Sequence, residues 1–142
     1  MDYLAREGSP FENDFWRNID KTVIETASRT LIGRRFLNIY GPLGSGTISV
    51  QYDKNNREEV FENGIVKTSG RKSVELPQLY EDFTLLWRDI ENNEKNKLPL
   101  DLSVVSSAAQ NLANIEDNLI FYGNEFLGVE GILNAKGTQK LK

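Results

Sequence analysis

Apolar residues recur along the chain with two different periods, and each period predicts a different kind of element. Between about residues 13 and 32 they recur every three to four positions, which is the spacing of one helix face. Asn13 or Asp14 is the predicted N-cap of this helix, and Gly33 in the left-handed conformation is its predicted end. The stripe comprises Phe15 or Trp16, Ile19, Val23, Ala27 and Leu31.

A second helical stripe runs from about residue 102 to residue 122. Asp101 is its predicted N-cap and Gly123 its predicted stop. Small residues on this helix, such as Ser106 and Ala113, would let another element pack closely against it. The stripe comprises Leu102, Val105, Ala108 or Ala109, Leu112, Ile115, Leu119 and Tyr122.

Period-two alternation predicts a β-ribbon over about residues 47–77. Ile48, Val50 and Tyr52 alternate with polar residues, and Asn63-Gly64 has the composition of a tight hairpin turn. A further polar turn is predicted at residues 53–56. Because an isolated hairpin is marginal in water, the ribbon needs support from another element or chain. Two interpretations are open from these residues alone: a solvent-exposed flap, or strand pairing with a neighbouring subunit.

Shorter segments complete an α+β prediction. Residues 36–40 are strand-like, and Gly44-Ser45-Gly46 forms a corner after them. Residues 79–90 are a mixed apolar run, and residues 91–97 are a polar stretch. Residues 128–133 are predicted as a glycine-bracketed turn leading into a short strand.

The composition excludes much catalytic chemistry. The 142 residues contain no histidine and no cysteine, so Ser-His-Asp and Cys-His nucleophiles, disulfides and thiolate or imidazole zinc sites cannot form within this chain. A net charge of −4, with 17 basic residues among 21 acidic ones, argues against nucleic acid as a partner. No segment has the composition of a signal peptide or a membrane span, which favours a cytoplasmic protein. We expect neither an enzyme nor a metal site.

Two kinds of local cluster resemble a catalytic or ligand-binding site, but the favoured interpretation of each is structural. The adjacent carboxylates Glu58-Glu59, Glu81-Asp82 and Glu116-Asp117 point apart on a helix or strand, so general acid/base pairing is not expected. Trp87-Arg88, with Tyr80, could stack on a planar ligand. Core packing of Trp87 is the favoured interpretation.

A set of short motifs resembles a known family through their order and spacing rather than through any one of them. The sequence resembles the encapsulin shell proteins, also called linocin-type bacteriocin-family proteins, which share the fold of tailed-phage major capsid proteins. The resemblance covers essentially the whole chain. It is carried by Met1-Asp2-Tyr3-Leu4, Ser9-Pro10, Trp16, Ile19-Asp20, Gly33-Arg34-Arg35-Phe36, Gly41-Pro42-Leu43-Gly44, Arg71-Lys72, Leu76-Pro77, Phe83-Thr84-Leu85, Asp101-Leu102, Ala113, Glu116-Asp117, Ile120-Phe121, Gly123 and Gly128-Val129-Glu130-Gly131-Ile132-Leu133.

The resemblance implies a division of the chain into three parts. Residues 1–42 would form a cargo-facing N-terminal arm and helix, and residues 43–77 an extended ribbon that pairs with the next subunit. Residues 78–142 would form part of the peripheral domain, including its spine helix. Family members are roughly twice this long, so the axial domain is expected to be absent. We therefore expect one piece of a split or truncated shell protein that needs a complementary C-terminal half.

The resemblance also assigns candidate binding residues. Arg34 matches a family residue that contacts the terminal targeting peptide of a cargo protein, and Leu31 and Asn38 belong to the same expected site. Asn38 replaces an aspartate found in a relative, so a charge has been lost from that site. Trp87 and Arg88 lie in a region associated with flavin in some encapsulins, although the tryptophan is shifted by one position. Flavin is a minor alternative, and otherwise no cofactor is expected.

Two functions from different classes follow. In the first, the chain is a structural subunit of a bacterial nanocompartment that self-assembles in many copies into an icosahedral shell. That shell encloses a cargo enzyme, typically one concerned with iron storage or oxidative stress. In the second, it is a small interaction module that joins one partner through its ribbon and helix without forming a shell.

Overall fold

The chain combines helices with two small antiparallel sheets, which confirms the α+β prediction. The structure is a computed structural model and describes residues 6–60 and 63–139. Two 3₁₀ turns, Arg6–Gly8 and Gly33–Arg35, accompany the regular elements in this part of the chain. Those elements are α1 (Asn13–Thr30), β1 (Ser49–Val60), β2 (Val66–Glu75), α2 (Trp87–Asn96), α3 (Ser103–Tyr122), β3 (Gly123–Asn124) and β4 (Val129–Glu130).

The chain divides into two compact units. Unit 1 takes residues 1–36 and 79–118, and unit 2 takes residues 37–78 and 119–142. Unit 1 therefore holds α1, α2 and most of α3, whereas unit 2 holds both sheets. The functional boundaries expected near residues 42 and 77 stay a prediction.

The core of unit 1 is small and lies between its three helices. α1 contributes Ile19 and α2 contributes Ile90, and both side chains are buried. α3 contributes the fully buried Val105 together with three alanines, Ala108, Ala109 and Ala113. The hydroxyls of Thr26 and Ser106 lie 3.0 Å apart across the α1–α3 contact. Small side chains thus lie on the buried face of α3, and the close packing that the sequence predicted for them stays a prediction.

The first 3₁₀ turn is tied to α1 by Arg6. Its guanidinium donates two hydrogen bonds of 2.7 Å to the carboxylate of Asp20 and stacks 4.8 Å from the ring centre of Trp16. The hydrogen bond from Arg6 holds the pKa of Asp20 below its usual value. Phe11 and Phe15 pack beside Trp16, with their ring centroids 4.5 Å apart. These contacts fix the path of the chain into α1.

The ends of α1 differ from the sequence prediction. The N-cap is Glu12, whose side chain makes no capping hydrogen bond, so the predicted caps Asn13 and Asp14 were wrong and lie inside the helix. α1 ends at Thr30, and Gly33 begins a 3₁₀ turn instead of ending the helix in the left-handed conformation. The amide of Gly33 is bonded to α3, which takes the place of a glycine C-cap.

α3 ends where the sequence predicts, and it begins at Ser103, two residues after the predicted N-cap Asp101. The Oδ1 atom of Asp101 accepts a hydrogen bond of 2.9 Å from the amide of Ser103, so its side chain still caps the first turn. This bond lowers the pKa of Asp101. Gly123 follows the last turn with a φ of 72°, the left-handed conformation typical of a residue after a helix.

α2 was not predicted as a helix, because its residues span the end of a mixed apolar run and a polar stretch and show no helical stripe. Side-chain pairs four residues apart support it: the Nζ atom of Lys95 lies 2.5 Å from the carboxylate of Glu91. The side-chain amide of Asn93 donates to the carbonyl of Leu98 at 2.6 Å, just beyond the helix end. Ile90 alone anchors α2 in the core of unit 1.

Unit 2 contains the predicted ribbon as a long two-stranded hairpin. β1 and β2 are antiparallel, with a register that runs from Ser49 opposite Glu75 to Val60 opposite Val66. The turn at Asn63-Gly64 is confirmed, and Gly64 has a φ of 77°. Phe61 and Glu62, which belong to the same predicted hairpin, lie outside the described residues.

Two other predictions, a turn at residues 53–56 and a strand at residues 36–40, were wrong. β1 continues through residues 53–56, where a turn was expected, and accommodates them through an irregularity in the register between Asp53 and Arg57. Residues 36–40 form no strand. Their apolar side chains are mostly exposed, and Tyr40 reaches 80% exposure. The β pattern of residues 36–40 therefore does not produce a strand.

The last turn of α3 leads directly into the β3–β4 hairpin of unit 2. Gly123 pairs with Glu130 and Asn124 with Val129. A Cβ atom on Gly123 would collide with the carbonyl of Val129 and the amide of Gly131. The backbone of β4 therefore passes so close to residue 123 that only glycine fits there. The predicted short strand is thus only two residues long. None of the helices in the described ranges is long and apolar enough to cross a membrane.

Candidate functional site

The segment that follows α1 is bonded to a buried carboxylate on α3. The amides of Ile32 and Gly33 donate to the two oxygens of Asp117, at 2.7 and 2.9 Å. Asp117 is buried, and a buried carboxylate is tolerated where both of its oxygens accept hydrogen bonds. Asp117 therefore fixes the backbone that precedes the candidate residue Arg34.

Arg34 itself is bonded to the neighbouring acid on α3, Glu116. Its Nε and Nη2 atoms donate to the two carboxylate oxygens at 2.5 and 2.8 Å, in a two-pronged arrangement. The hydrogen bond to Glu116 raises the pKa of Arg34. The Arg34 side chain is 54% exposed and that of Glu116 is 24% exposed, so the arginine forms the outer part of the pair.

Arg35 points the other way and closes the end of α1. Its Nη2 atom donates to the carbonyls of Ser28 and Arg29, at 3.4 and 2.6 Å. These carbonyls belong to the last turn of α1, where intrahelical partners are lacking. The two adjacent arginines therefore have different partners: Arg35 caps the last carbonyls of α1, and Arg34 pairs with Glu116 on α3.

The three residues expected to bind a cargo peptide do not all lie in one unit. Leu31 is the half-buried C-cap of α1, and its amide donates to the carbonyl of Ala27 at 2.9 Å. Leu31 and Arg34 thus share one short segment of unit 1. Asn38 is exposed and belongs to unit 2. Contact of these residues with a peptide stays a prediction.

Glu116, Asp117 and Arg35 were not predicted from the sequence as parts of this site. The two acids were not expected to act as a catalytic pair, and in the structure both bond to the segment 32–34: Glu116 to the side chain of Arg34, and Asp117 to the two preceding amides. A signal for Asp117 was present in the stripe of α3, where it continues the four-residue spacing of Val105, Ala109 and Ala113. An acid on a buried helix face needs donors, which here are backbone amides.

The other candidate pair, Trp87 and Arg88, lies at the start of α2. The Trp87 side chain is 64% exposed, so the expectation that it packs in the core was wrong in this structure. Tyr80 is also exposed. Binding of a flavin by these residues stays a prediction. In the described ranges, no group of three or more acidic side chains could hold a metal ion.

The hairpin of unit 2 exposes apolar side chains on strands that have unpaired edges. Val60 and Val66 lie opposite each other near the turn, with exposures of 74% and 54%. Ile48 precedes β1 and is also exposed. Since the sheet has two strands, each strand has one edge without a ladder partner in the described part of the chain. Such an edge can accept another strand.

Comparison with known proteins identifies the family. The model of the family described as "Encapsulating protein for peroxidase" matches residues 1–142. This chain belongs to the encapsulin family. Among its encapsulin relatives, the type 1 shell protein EncA of Myxococcus xanthus is 41% identical over 144 residues, covering 96% of this chain and 50% of EncA.

Two other encapsulin relatives show similar coverage. A type 1 encapsulin shell protein of Mycobacterium tuberculosis is 30% identical over 141 residues, covering 99% of this chain and 53% of the relative. A diheme-cytochrome-encapsulin shell fusion protein of Kuenenia stuttgartiensis is 35% identical over 134 residues, covering 89% of this chain and 37% of the relative. The chain thus spans about half the length of the type 1 encapsulin relatives described here.

Proposed function

We propose that this chain is the N-terminal half of an encapsulin shell subunit with the tailed-phage capsid fold. In this proposal many copies assemble into a closed cytoplasmic shell around a cargo enzyme, and the chain contributes no catalysis. The observation that carries the proposal is the family match over the whole chain, and a hairpin whose strands each keep an unpaired edge in the described part of the chain supports it.

The hairpin supports assembly through its edges and its exposed valines. A lone two-stranded hairpin is marginal in water, yet this one extends over residues 49–75. Pairing with a neighbouring subunit would complete its backbone hydrogen bonds and cover Val60 and Val66. The interpretation as an intersubunit strand is therefore favoured over a solvent-exposed flap.

The segment from Leu31 to Arg34 supports contact with a cargo peptide. Its backbone is fixed by Asp117, and the side chain of Arg34 is both oriented and half exposed. A peptide that binds such a fixed surface loses less free energy to ordering of the site. The type of cargo, in iron storage or oxidative stress, follows from the family resemblance alone.

A complementary C-terminal half is the third part of the proposal. α3 exposes Ile115 and Val104, and α2 exposes Trp87 at its first residue. Burial of apolar area stabilises by about 25 cal/mol per Å², so coverage of these side chains would add several kcal/mol. Such a half would also supply the axial domain expected of a complete shell subunit.

Electron microscopy tests the proposal. The chain would be expressed from its own locus, with its adjacent coding sequences, and purified material would be examined by negative stain and by sedimentation velocity. We expect uniform hollow particles that contain this chain. A small complex that never forms particles, or a cooperatively melting monomer, would instead favour the interaction-module alternative.

A further inference from the structure

The pairing of Arg34 with Glu116 leaves part of the arginine available to a ligand. A guanidinium has five N–H donors, and Glu116 engages one on Nε and one on Nη2. Nη1 has no hydrogen-bond partner among the described residues. The two remaining Nη1 donors and the second Nη2 donor therefore lie on the edge of the guanidinium away from Glu116.

Glu116 and Asp117 also fix where this free edge points. Asp117 holds the two preceding backbone amides, and Glu116 holds the side chain at two atoms. Arg35 is occupied at the end of α1. The free edge of Arg34 is thus presented to a ligand without the loss of side-chain entropy that an unbraced arginine would suffer.

The charges around this edge decide which acceptor it favours. The guanidinium of Arg34 is paired with Glu116, and Asp117 bonds the two preceding amides, so the formal charge of these three side chains is negative. An acidic side chain that approached Arg34 would meet the field of Glu116 at short range. A neutral carbonyl oxygen accepts the same N–H donors without that repulsion.

We propose that Glu116 is a positioning residue that makes Arg34 a donor for neutral carbonyl oxygens of an extended peptide and disfavours acidic side chains. This inference rests on the proposed function, because it concerns the peptide that Arg34 contacts there. It narrows the ligand to a segment that offers main-chain or amide carbonyls beside Arg34. Specificity then arises from a repulsive element as well as an attractive one.

Binding of two matched peptides tests this inference. The probes are dye-labelled pentapeptides of sequence Gly-Leu-Gln-Leu-Gly and Gly-Leu-Glu-Leu-Gly with amidated ends, titrated with the assembled protein and followed by fluorescence anisotropy. We expect the glutamine peptide to bind more tightly to the wild-type protein. Glu116→Gln should shift the ratio of the two affinities toward the acidic peptide by about two- to fivefold, the range of an exposed charge pair. Salt at 300 mM should bring the affinities of the two peptides for the wild-type protein closer together, because it screens the repulsion.

Two control variants separate charge from folding. Glu91→Gln removes a similar exposed acid that is paired with Lys95, and it should leave the ratio unchanged. Arg34→Ala should weaken both peptides. The inference is overturned if the acidic peptide binds wild type more tightly, if Glu116→Gln leaves the ratio unchanged, or if Arg34→Ala has no effect. Negative stain of the same samples distinguishes the outcomes, because particles with an unchanged ratio refute this inference and leave the proposed function standing.

Discussion

Single residues on α3 decide how the end of α1 is held. Asp117 is the clearest case, since one buried carboxylate satisfies two backbone amides that no helix or sheet partner reaches. The predicted stripe of α3 was right at Val105 and the alanines but wrong at Ile115 and Tyr122, which are exposed. The partners of Asp117 were not predicted, because they are backbone groups of a segment 84 and 85 positions away. Sequence spacing carries no information on such distant contacts.

Asp117→Ala is expected to destabilise the protein by about 2–3 kcal/mol, because two donors lose a charged acceptor in a buried place. The free energy of unfolding, measured by urea denaturation, checks this value. Asp117→Asn keeps one acceptor oxygen and should cost less. Equal stability of the alanine variant and wild type would show that water replaces the carboxylate without loss.

Asp101 gives a prediction about pH. Its folded pKa is lowered by the amide of Ser103, so the stabilisation from its charged form is complete above the usual aspartate pKa and is lost as the pH falls through the lowered value. Asp101→Asn retains a capping oxygen without the charge. We expect the melting temperature of wild type to exceed that of this variant at pH 6 and the difference to shrink by pH 3. A constant difference would contradict the charge argument.

At the scale of elements, sequence patterns predicted those with strong periodicity or clear caps. α1, α3 and the β1–β2 hairpin were found within a few residues of their bounds. α2 was missed because it buries a single side chain and so shows no stripe. Residues 36–40 were wrongly taken for a strand, since a β pattern forms a ladder only where another strand is available. Periodicity reports burial, and it fails where an element buries little.

The close backbone contact in the β3–β4 hairpin can be tested with a matched control. Gly123 and Gly128 both have left-handed φ values, of 72° and 65°, but only a Cβ atom on Gly123 would meet other backbone atoms. Gly128→Ala should lower the free energy of unfolding by about 1 kcal/mol, because alanine is strained at this positive φ. Gly123→Ala should lower it by at least about 2 kcal/mol, because the backbone of β4 must also move away from the new Cβ atom. Thermal unfolding measures both, and equal losses would contradict the proposed close approach.

At the scale of the whole molecule, the family was predictable because it depends on motif order over the full chain rather than on any contact. The family match confirmed that prediction. The candidate site was predicted only in part. Arg34 was named from the resemblance, but its hydrogen bonds to Glu116 on α3 were not predicted. The proposed assembly and cargo binding involve other chains, so neither the sequence pattern nor the structure of this one chain determines them.

The exposed valines of the hairpin give a prediction at this scale. Val60→Thr combined with Val66→Thr keeps the β-branched shape and should leave circular dichroism unchanged. Particle formation should weaken, because each hydroxyl buried without a partner costs about 1–3 kcal/mol. The paired isoleucine variants, Val60→Ile with Val66→Ile, serve as the control and should still assemble. Normal particles from the threonine protein would show that these side chains stay outside the contact.

The burial of a single side chain on α2 affects the order in which parts of the protein unfold. Only Ile90 ties α2 to its neighbours by burial, whereas α3 buries several side chains. α2 should therefore open far more often than global unfolding would allow. Its amides should exchange with deuterium well before those of α3, and trypsin should first nick the chain near Lys95. On heating, this chain should therefore lose α2 before it loses the rest of unit 1.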